Sequence, residues 1–239
     1  AKAYLDESHR LRLAREFVQG ATDNILRNLR YYKNRGLDLA EIMDAVQILR
    51  EGSDTAADIS ELMGYEGRIH TAYYSSFETI TGNKTEFEKR VRHPPDNMMN
   101  TMISFINGMI YGRCLNEIYR TQLNPTISFL HEPGTRRFSL SLDVSEIFKP
   151  LIGDRLLFSL INKNQITEKD FTRELNCLHL KKRASQVIAR ALDDRLKTTI
   201  FHRELKKKVS YQYLMRLECY KLIKDIMGEK PYKPFVMWW

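Results

Sequence analysis

Apolar residues recur at helical spacing along most of the chain. In residues 4–32, Leu, Ala, Phe, Val and Ile alternate with polar residues every three to four positions, and Gly36 follows where a left-handed residue ends a helix easily. The same period in residues 39–49 predicts a second helix. Asp54 is expected to cap a third helix that reaches Met63, where Gly64 predicts a break before a further helix from Tyr65.

The second half of the chain continues this pattern. Residues 98–121 are apolar on nearly all sides, which is typical of a central, buried helix. Residues 127–142 predict a turn at Pro133 and Gly134 with an extended stretch, and residues 144–161 predict a helix that Pro150 kinks or restarts. Residues 166–227 predict three more helices. The pattern therefore predicts an all-α fold, a single multi-helix domain over residues 1–239 with an aromatic tail from Pro231.

Composition narrows the class of protein. The most apolar stretch, residues 98–111, contains two Asn and a Gly and is shorter than the roughly 20 residues that span a bilayer. The first residues carry acids and no apolar run, so no secretory signal is expected. Three widely spaced cysteines predict reduced thiols rather than a disulfide framework or a zinc site. We therefore expect a cytoplasmic protein with no membrane association.

The positive charge is concentrated in one segment. The chain has a net charge of +8, and residues 181–208 hold ten Lys or Arg against three Asp or Glu. Arg183, Arg190 and Lys197 recur every seven residues, so on a helix they form a stripe that drifts only ~20° per repeat. These three residues are called the basic stripe below. Such a stripe can follow a phosphate backbone, but it is also what a solvated helix face looks like.

Four residues could hold a divalent cation: Glu66, His131, Asp143 and Glu146. Carboxylate oxygens are the ligands that Mg²⁺ and Mn²⁺ prefer, and one imidazole among them shifts the preference toward Mn²⁺. Asp143 and Glu146 are three residues apart, so on a helix they share a face and could converge on one ion. His131 lies in the turn just upstream and could fold back onto that face.

Ordinary structural roles explain the same residues equally well. Asp143 and Glu146 have the spacing of a helix capping box, and Glu66 could be a first-turn acid that the helix dipole favours. His131 could be an unremarkable loop residue, and Arg136 and Arg137 could be solvated surface charges. Spacing alone leaves these alternatives open.

Three motifs carry a resemblance to a known family. Residues 124–133 read NPTISFLHEP, residues 137–155 read RFSLSLDVSEIFKPLIGDR, and residues 61–67 read ELMGYEG. Together they resemble the signature of the CRISPR-associated Cas1 integrases. The ending, with Tyr232, Pro234, Phe235, Trp238 and Trp239, resembles the type I-B-like branch of that family.

The resemblance implies a function and a set of ligands. Glu66, His131 and Glu146 match the family's metal-ligand positions, with Asp143 as the other acid of the motif. The implied enzyme is a metal-dependent DNA integrase or endonuclease that uses Mg²⁺ or Mn²⁺ and joins prespacer 3′-OH ends to the CRISPR repeat by transesterification. The DNA-binding residues expected beside this site are Arg136 and Arg137, with the basic stripe further along the chain.

The resemblance also implies partners and a domain arrangement. The partners are double-stranded and branched DNA, a Cas2 dimer, a second Cas1 copy as in the full-length family, and Cas4 as a further candidate. The family begins with a β-sandwich domain that this chain is expected to lack. Two rival functions stay open at this point: a general metal-dependent DNA nuclease, and a helical DNA-bridging module without chemistry.

Overall fold

A computed structural model describes residues 2–92, 94–132, 137–174 and 177–238 of the 239-residue chain. Most of these residues are helical. In this described part the α-helices are α1 (Lys2–Leu5), α2 (Glu7–Lys33), α3 (Ala40–Ser53), α4 (Ile59–Tyr74), α5 (Phe77–Ile80), α6 (Met98–Ile118), α7 (Ser139–Phe148), α8 (Arg155–Asn162), α9 (Lys182–Lys197) and α10 (Tyr211–Ile226). None of them combines the length and apolarity that a bilayer crossing requires.

The chain also contains two small antiparallel sheets, so the all-α prediction is wrong. Strands β1 (Phe171–Glu174) and β2 (Cys177–Leu180) form one hairpin, and β3 (Thr199–His202) and β4 (Lys207–Ser210) form the other. They take the place of one of the three helices predicted for residues 166–227. Strands of four residues are too short for an apolar period to distinguish them from a helix turn.

Helix starts follow from side-chain caps. The Asp6 carboxylate accepts a hydrogen bond from the His9 backbone N–H and begins α2, and Asp58 does the same for the Glu61 N–H at the start of α4. The predicted cap at Asp54 is therefore wrong by four residues. The predicted break at Gly64 is also wrong, because α4 runs through it. A glycine inside a helix costs only about 1 kcal/mol, which the packing of α4 on α2 and α3 offsets.

Helix α7 lies at the centre of the molecule, packed between α2 and α6. It begins at Ser139, so the end of the segment predicted as turn and extended stretch, residues 139–142, is helical instead. The predicted turn at Pro133 and Gly134 lies outside the described residues. Ser141 is buried in the core, and its hydroxyl group is satisfied there because it donates a hydrogen bond to the Tyr111 carbonyl oxygen at 2.6 Å. The helix period predicted for residues 144–161 is confirmed, and it continues past α7 through a π-helical turn (Lys149–Asp154) into α8.

Pro150 accounts for the π-helical turn. Proline has no N–H to give to the helix, so a carbonyl group is left without its usual donor. Nearby, the side-chain amide of Asn28 on α2 donates to the Pro150 carbonyl oxygen at 2.6 Å and to the Tyr73 hydroxyl at 3.2 Å. Asn28 therefore ties α2, α4 and the π-helical turn together in the core.

The C-terminal tail is part of the core. Tyr232, Phe235 and Met237 are buried, and the Met237 N–H donates to the Asn24 side-chain oxygen at 3.0 Å. A Cβ at Gly20 would overlap the Pro234 ring, so the tail lies directly on α2. Removing this segment would therefore expose core residues to solvent and would not affect the surface alone.

Candidate metal centre and catalytic site

Helices α4 and α7 bring two distant carboxylates together around a histidine. His70 Nε2 lies 3.1 Å from Glu66 Oε1 and 3.6 Å from Glu146 Oε2. In the described residues these three side chains form the group of potential metal ligands, each offering one atom within 4.8 Å of the others. The structure therefore brings Glu66 and Glu146 to one point, 80 residues apart in sequence.

Sequence reasoning missed His70. A signal was present, because Glu66 and His70 are four residues apart and so share one face of a helix. The helix predicted from Tyr65 already contained both residues, but the family motif ends at Gly67 and so includes only Glu66.

Glu146 has the environment of a ligand rather than of a solvated acid. It is 4% exposed, and its Oε1 pairs with the Lys149 ammonium group. Its Oε2 is buried without a hydrogen-bond partner among the described residues. A cavity of about 10 Å³ lies beside Glu66, His70 and Glu146, which is room for roughly one water or ion.

The charges of the three groups are strongly linked. Burial alone would lower the pKa of His70, but the nearby carboxylates of Glu66 and Glu146 outweigh burial and raise that pKa to about 10. Burial works against ionisation of Glu146, yet Lys149 and His70 hold its pKa well below the ordinary range. Burial likewise opposes ionisation of Glu66, and His70 lowers its pKa overall. Without a bound cation, His70 and Lys149 balance the two negative charges.

Asp143 holds the loop that carries His131. Its Oδ2 accepts the backbone N–H groups of Phe129 at 2.6 Å and Leu130 at 3.1 Å. Its Oδ1 accepts the His131 N–H at 3.1 Å and lies 2.8 Å from His131 Nδ1. Asp143 is fully buried within α7, and Phe138 is the N-cap residue, so the capping-box alternative is wrong. Both Asp143 oxygens are engaged by the loop, and the role of Asp143 as a metal ligand stays a prediction.

His131 is a neighbour of the cluster formed by Glu66, His70 and Glu146, but it is not one of the three. Its fold-back toward α7 is confirmed by the contact between its ring and Asp143. Burial would lower the pKa of His131, but the hydrogen bond with Asp143 raises it overall. Since Nδ1 faces Asp143, Nε2 is the ring atom available to another partner. Its role as a metal ligand stays a prediction.

The predicted DNA-binding residues that the structure describes are all exposed. Arg137 is exposed, and Arg136 lies outside the described residues. All three residues of the basic stripe are exposed on α9, while the opposite face buries Ile188 and Leu192. Arg183 lies 3.5 Å from Asp170, but the Arg183 side chain is 81% exposed. This ion pair is therefore weak and leaves the guanidinium group accessible.

Comparisons with known proteins place the chain among the CRISPR-associated Cas1 proteins. The family described as "CRISPR associated protein Cas1" matches residues 1–194, and the chain belongs to that family. It is 56% identical to the CRISPR-associated endonuclease Cas1 of Fusobacterium nucleatum, over 99% of this chain and 70% of that protein. It is 50% identical to the CRISPR-associated protein Cas1 1 of Methanobrevibacter ruminantium, over all of this chain and 72% of that protein.

Solved structures share the fold. A CAS1 protein from Thermotoga maritima superimposes with a TM-score of 0.87 at 36% identity, covering 97% of this chain and 70% of that one. A casposase bound to integration product has a TM-score of 0.83 at 22% identity, covering 98% of this chain and 68% of that one, and at that identity it shows the fold alone.

The expected absence of the family's N-terminal β-sandwich domain has no support in these alignments. The chain spans 70–72% of the two relatives' lengths. The single domain predicted over residues 1–239 stays a prediction. The type I-B-like assignment stays a prediction.

Proposed function

We propose that this chain carries the catalytic site of a metal-dependent DNA integrase that joins prespacer 3′-OH ends to a CRISPR repeat by transesterification. One observation carries the proposal: Glu66 and Glu146 converge with His70 on one buried point, where a Glu146 oxygen has no hydrogen-bond partner in the described chain. A buried, unpaired carboxylate oxygen is costly, and a bound cation removes that cost.

The residues present fit a divalent cation. Glu66 and Glu146 would hold it, with His131 as the ligand that the family resemblance implies. When bound, Mg²⁺ or Mn²⁺ polarises a phosphoryl oxygen and lowers the pKa of an attacking hydroxyl. Asp143 contributes by orientation, because its contact with His131 Nδ1 fixes the ring and directs Nε2 away from α7.

DNA is proposed to lie along the basic stripe and Arg137. The exposure of these side chains and the surplus of seven positive charges in residues 181–208 support this. A protein of this fold, the casposase, was solved bound to integration product. Contacts of this kind go mainly to phosphates, so DNA binding should depend strongly on salt.

Cas2 is proposed to bind at the groove between α10, the β3–β4 hairpin and the tail. One chain of a solved Cas6-RT-Cas1–Cas2 complex contains this fold, with a TM-score of 0.87 at 18% identity over 98% of this chain and 26% of that one. The groove encloses about 330 Å³, and two of the residues that line it, Leu205 and Tyr220, are exposed large apolar side chains. Exposed apolar groups of this size are typical of a protein interface. A second Cas1 copy and Cas4 stay proposals that rest on the family resemblance.

A strand-transfer assay on branched DNA with Mn²⁺ tests the proposal. Glu66→Gln and Glu146→Gln should each lower joining at least about 100-fold, equal to about 2.7 kcal/mol of barrier, and leave DNA binding intact. Glu41→Gln, an exposed acid on α3, is the matched control and should have no effect.

The same assay separates the rival functions. A general nuclease would release cleaved strands without joining them, because water would replace the 3′-OH. A DNA-bridging module would bind DNA equally with and without metal and would produce neither product. Unchanged joining in the two glutamine variants would refute the assignment of the site.

A further inference from the structure

We propose that His70 is a direct metal ligand through Nε2, so that this chain binds its cation with two carboxylates and an imidazole from α4 in addition to any contribution from His131. The inference rests on the proposed function in one respect, that a divalent cation binds at Glu66 and Glu146. It adds a ligand and a metal preference that the family resemblance does not assign.

The spacing of the potential ligand atoms fits a small cation. Ligand atoms on opposite sides of a small cation with bonds of about 2.1 Å lie about 4.2 Å apart. His70 Nε2 lies 3.1 Å from Glu66 Oε1 and 3.6 Å from Glu146 Oε2, so all three atoms are close enough to bind one small cation. Glu66 and His70 are one helical turn apart on α4, and a rigid helix holds both on the same face.

The unpaired Glu146 oxygen faces the His70 ring. Glu146 Oε2 is the atom that faces His70 Nε2, at 3.6 Å, which is too long for a hydrogen bond. This oxygen has no other hydrogen-bond partner in the described chain and lies beside the small cavity. A cation held between the two atoms would satisfy both.

The imidazole ring is held by packing. It lies against the Tyr74 ring with centroids 5.6 Å apart, and His70 Nδ1 is buried without a hydrogen-bond partner in the described residues. Ligating histidines usually donate this second N–H to an acceptor. Here the helix and Tyr74 set the direction of the ring instead.

The same contacts are also compatible with a role of His70 in balancing charge, and the two roles predict opposite changes in cation affinity. If His70 only balances the charge of Glu66 and Glu146, removing it leaves two uncompensated carboxylates, and cations should bind more tightly. If His70 is a ligand, removing it should weaken binding. The effect should be larger for Mn²⁺ than for Mg²⁺, because imidazole is a poor ligand for Mg²⁺.

Calorimetric titration of the purified chain with Mn²⁺ and Mg²⁺ distinguishes the two roles, because the ligand role predicts lower cation affinity in the variant and the charge-balancing role predicts higher affinity. His70→Gln keeps the size of the side chain, and we expect it to lower Mn²⁺ affinity about 10-fold or more and Mg²⁺ affinity by a smaller factor. His179→Ala, an exposed histidine on β2, is the matched control and should change neither affinity. Unchanged or higher Mn²⁺ affinity in His70→Gln, with an unchanged melting temperature, would overturn the proposal.

Pulsed electron paramagnetic resonance of bound Mn²⁺ gives a readout that a structural role would not move. The ¹⁴N coupling of a directly bound imidazole should persist in His131→Ala, where His70 supplies it, and disappear in the double variant with His70→Gln. If His131→Ala binds no Mn²⁺, the spectra of wild type and His70→Gln decide, since one imidazole coupling should be lost. Identical spectra would refute the ligand role. A wild-type chain that binds no Mn²⁺ would instead refute the proposed function.

Discussion

Asp143 offers a sharp test, because its two oxygens engage four donors in the loop that carries His131. Asp143→Ala would leave the N–H groups of Phe129, Leu130 and His131 without their acceptor. Phe129 and Leu130 are buried, so water does not easily replace the lost partner. The change disturbs the loop without touching Glu66, His70 or Glu146.

The magnitude follows from the number of donors. Each buried donor left unpaired costs about 1–3 kcal/mol, so three of them cost about 3–6 kcal/mol once partial hydration near His131 is allowed for. For a chain of this length each kcal/mol lowers the melting temperature by about 2–4 °C, so we expect a fall of at least about 6 °C. Urea unfolding and thermal melting both measure this.

Asp143→Asn separates stability from chemistry. An amide can accept at only one of its two atoms, so the variant keeps part of the loop contacts and should lose less stability than Asp143→Ala. If its NH₂ group faces His131 Nδ1, the ring must place its proton on Nε2, and that atom can no longer bind a cation. We therefore expect strand transfer to fall far more than the melting temperature.

The control is Asp44→Ala, an exposed acid on α3, which should change stability by less than about 0.5 kcal/mol. A loss of less than about 1 kcal/mol in Asp143→Ala would show that the loop does not depend on this carboxylate. The account of how His131 is positioned would then be wrong.

Two further predictions concern surfaces. Replacing any one residue of the basic stripe with Ala should weaken binding to unrelated duplexes about equally and reduce the slope of log affinity against log salt by roughly one, whereas three unchanged slopes would mean that α9 does not contact DNA. Leu205→Asp or Tyr220→Asp should weaken Cas2 binding at least about 10-fold in a pull-down titration with little change in melting temperature, because both side chains are exposed beside the groove. Deleting residues 231–239 is not an equivalent test, since it removes the buried Tyr232 and Met237. Cas2 affinity equal to wild type in both point variants would exclude the groove as the interface.

Features that depend on neighbours three or four residues away could be predicted from local sequence patterns. The buried helix α6, the apolar face of α9 at Ile188 and Leu192, and the end of α2 before Gly36, which has a φ of +92°, were all predictable. Helical periodicity and a left-handed terminal glycine are local properties of the backbone. The family motifs likewise identified Glu66 and Glu146, which the fold brings together.

The contacts that each acid makes could not be predicted in this way, because they depend on the packing of distant segments. Asp143 and Glu146 share a face of α7 by spacing, yet Asp143 accepts the N–H groups of the His131 loop while Glu146 faces α4. His70 became part of the site because the fold places the face of α4 that carries Glu66 and His70 against Glu146 of α7. The two hairpins after residue 170 were equally hidden, since four-residue strands carry little local signal. Hydrogen-bond partners depend on which segments pack together in the core, and a local sequence pattern does not contain that information.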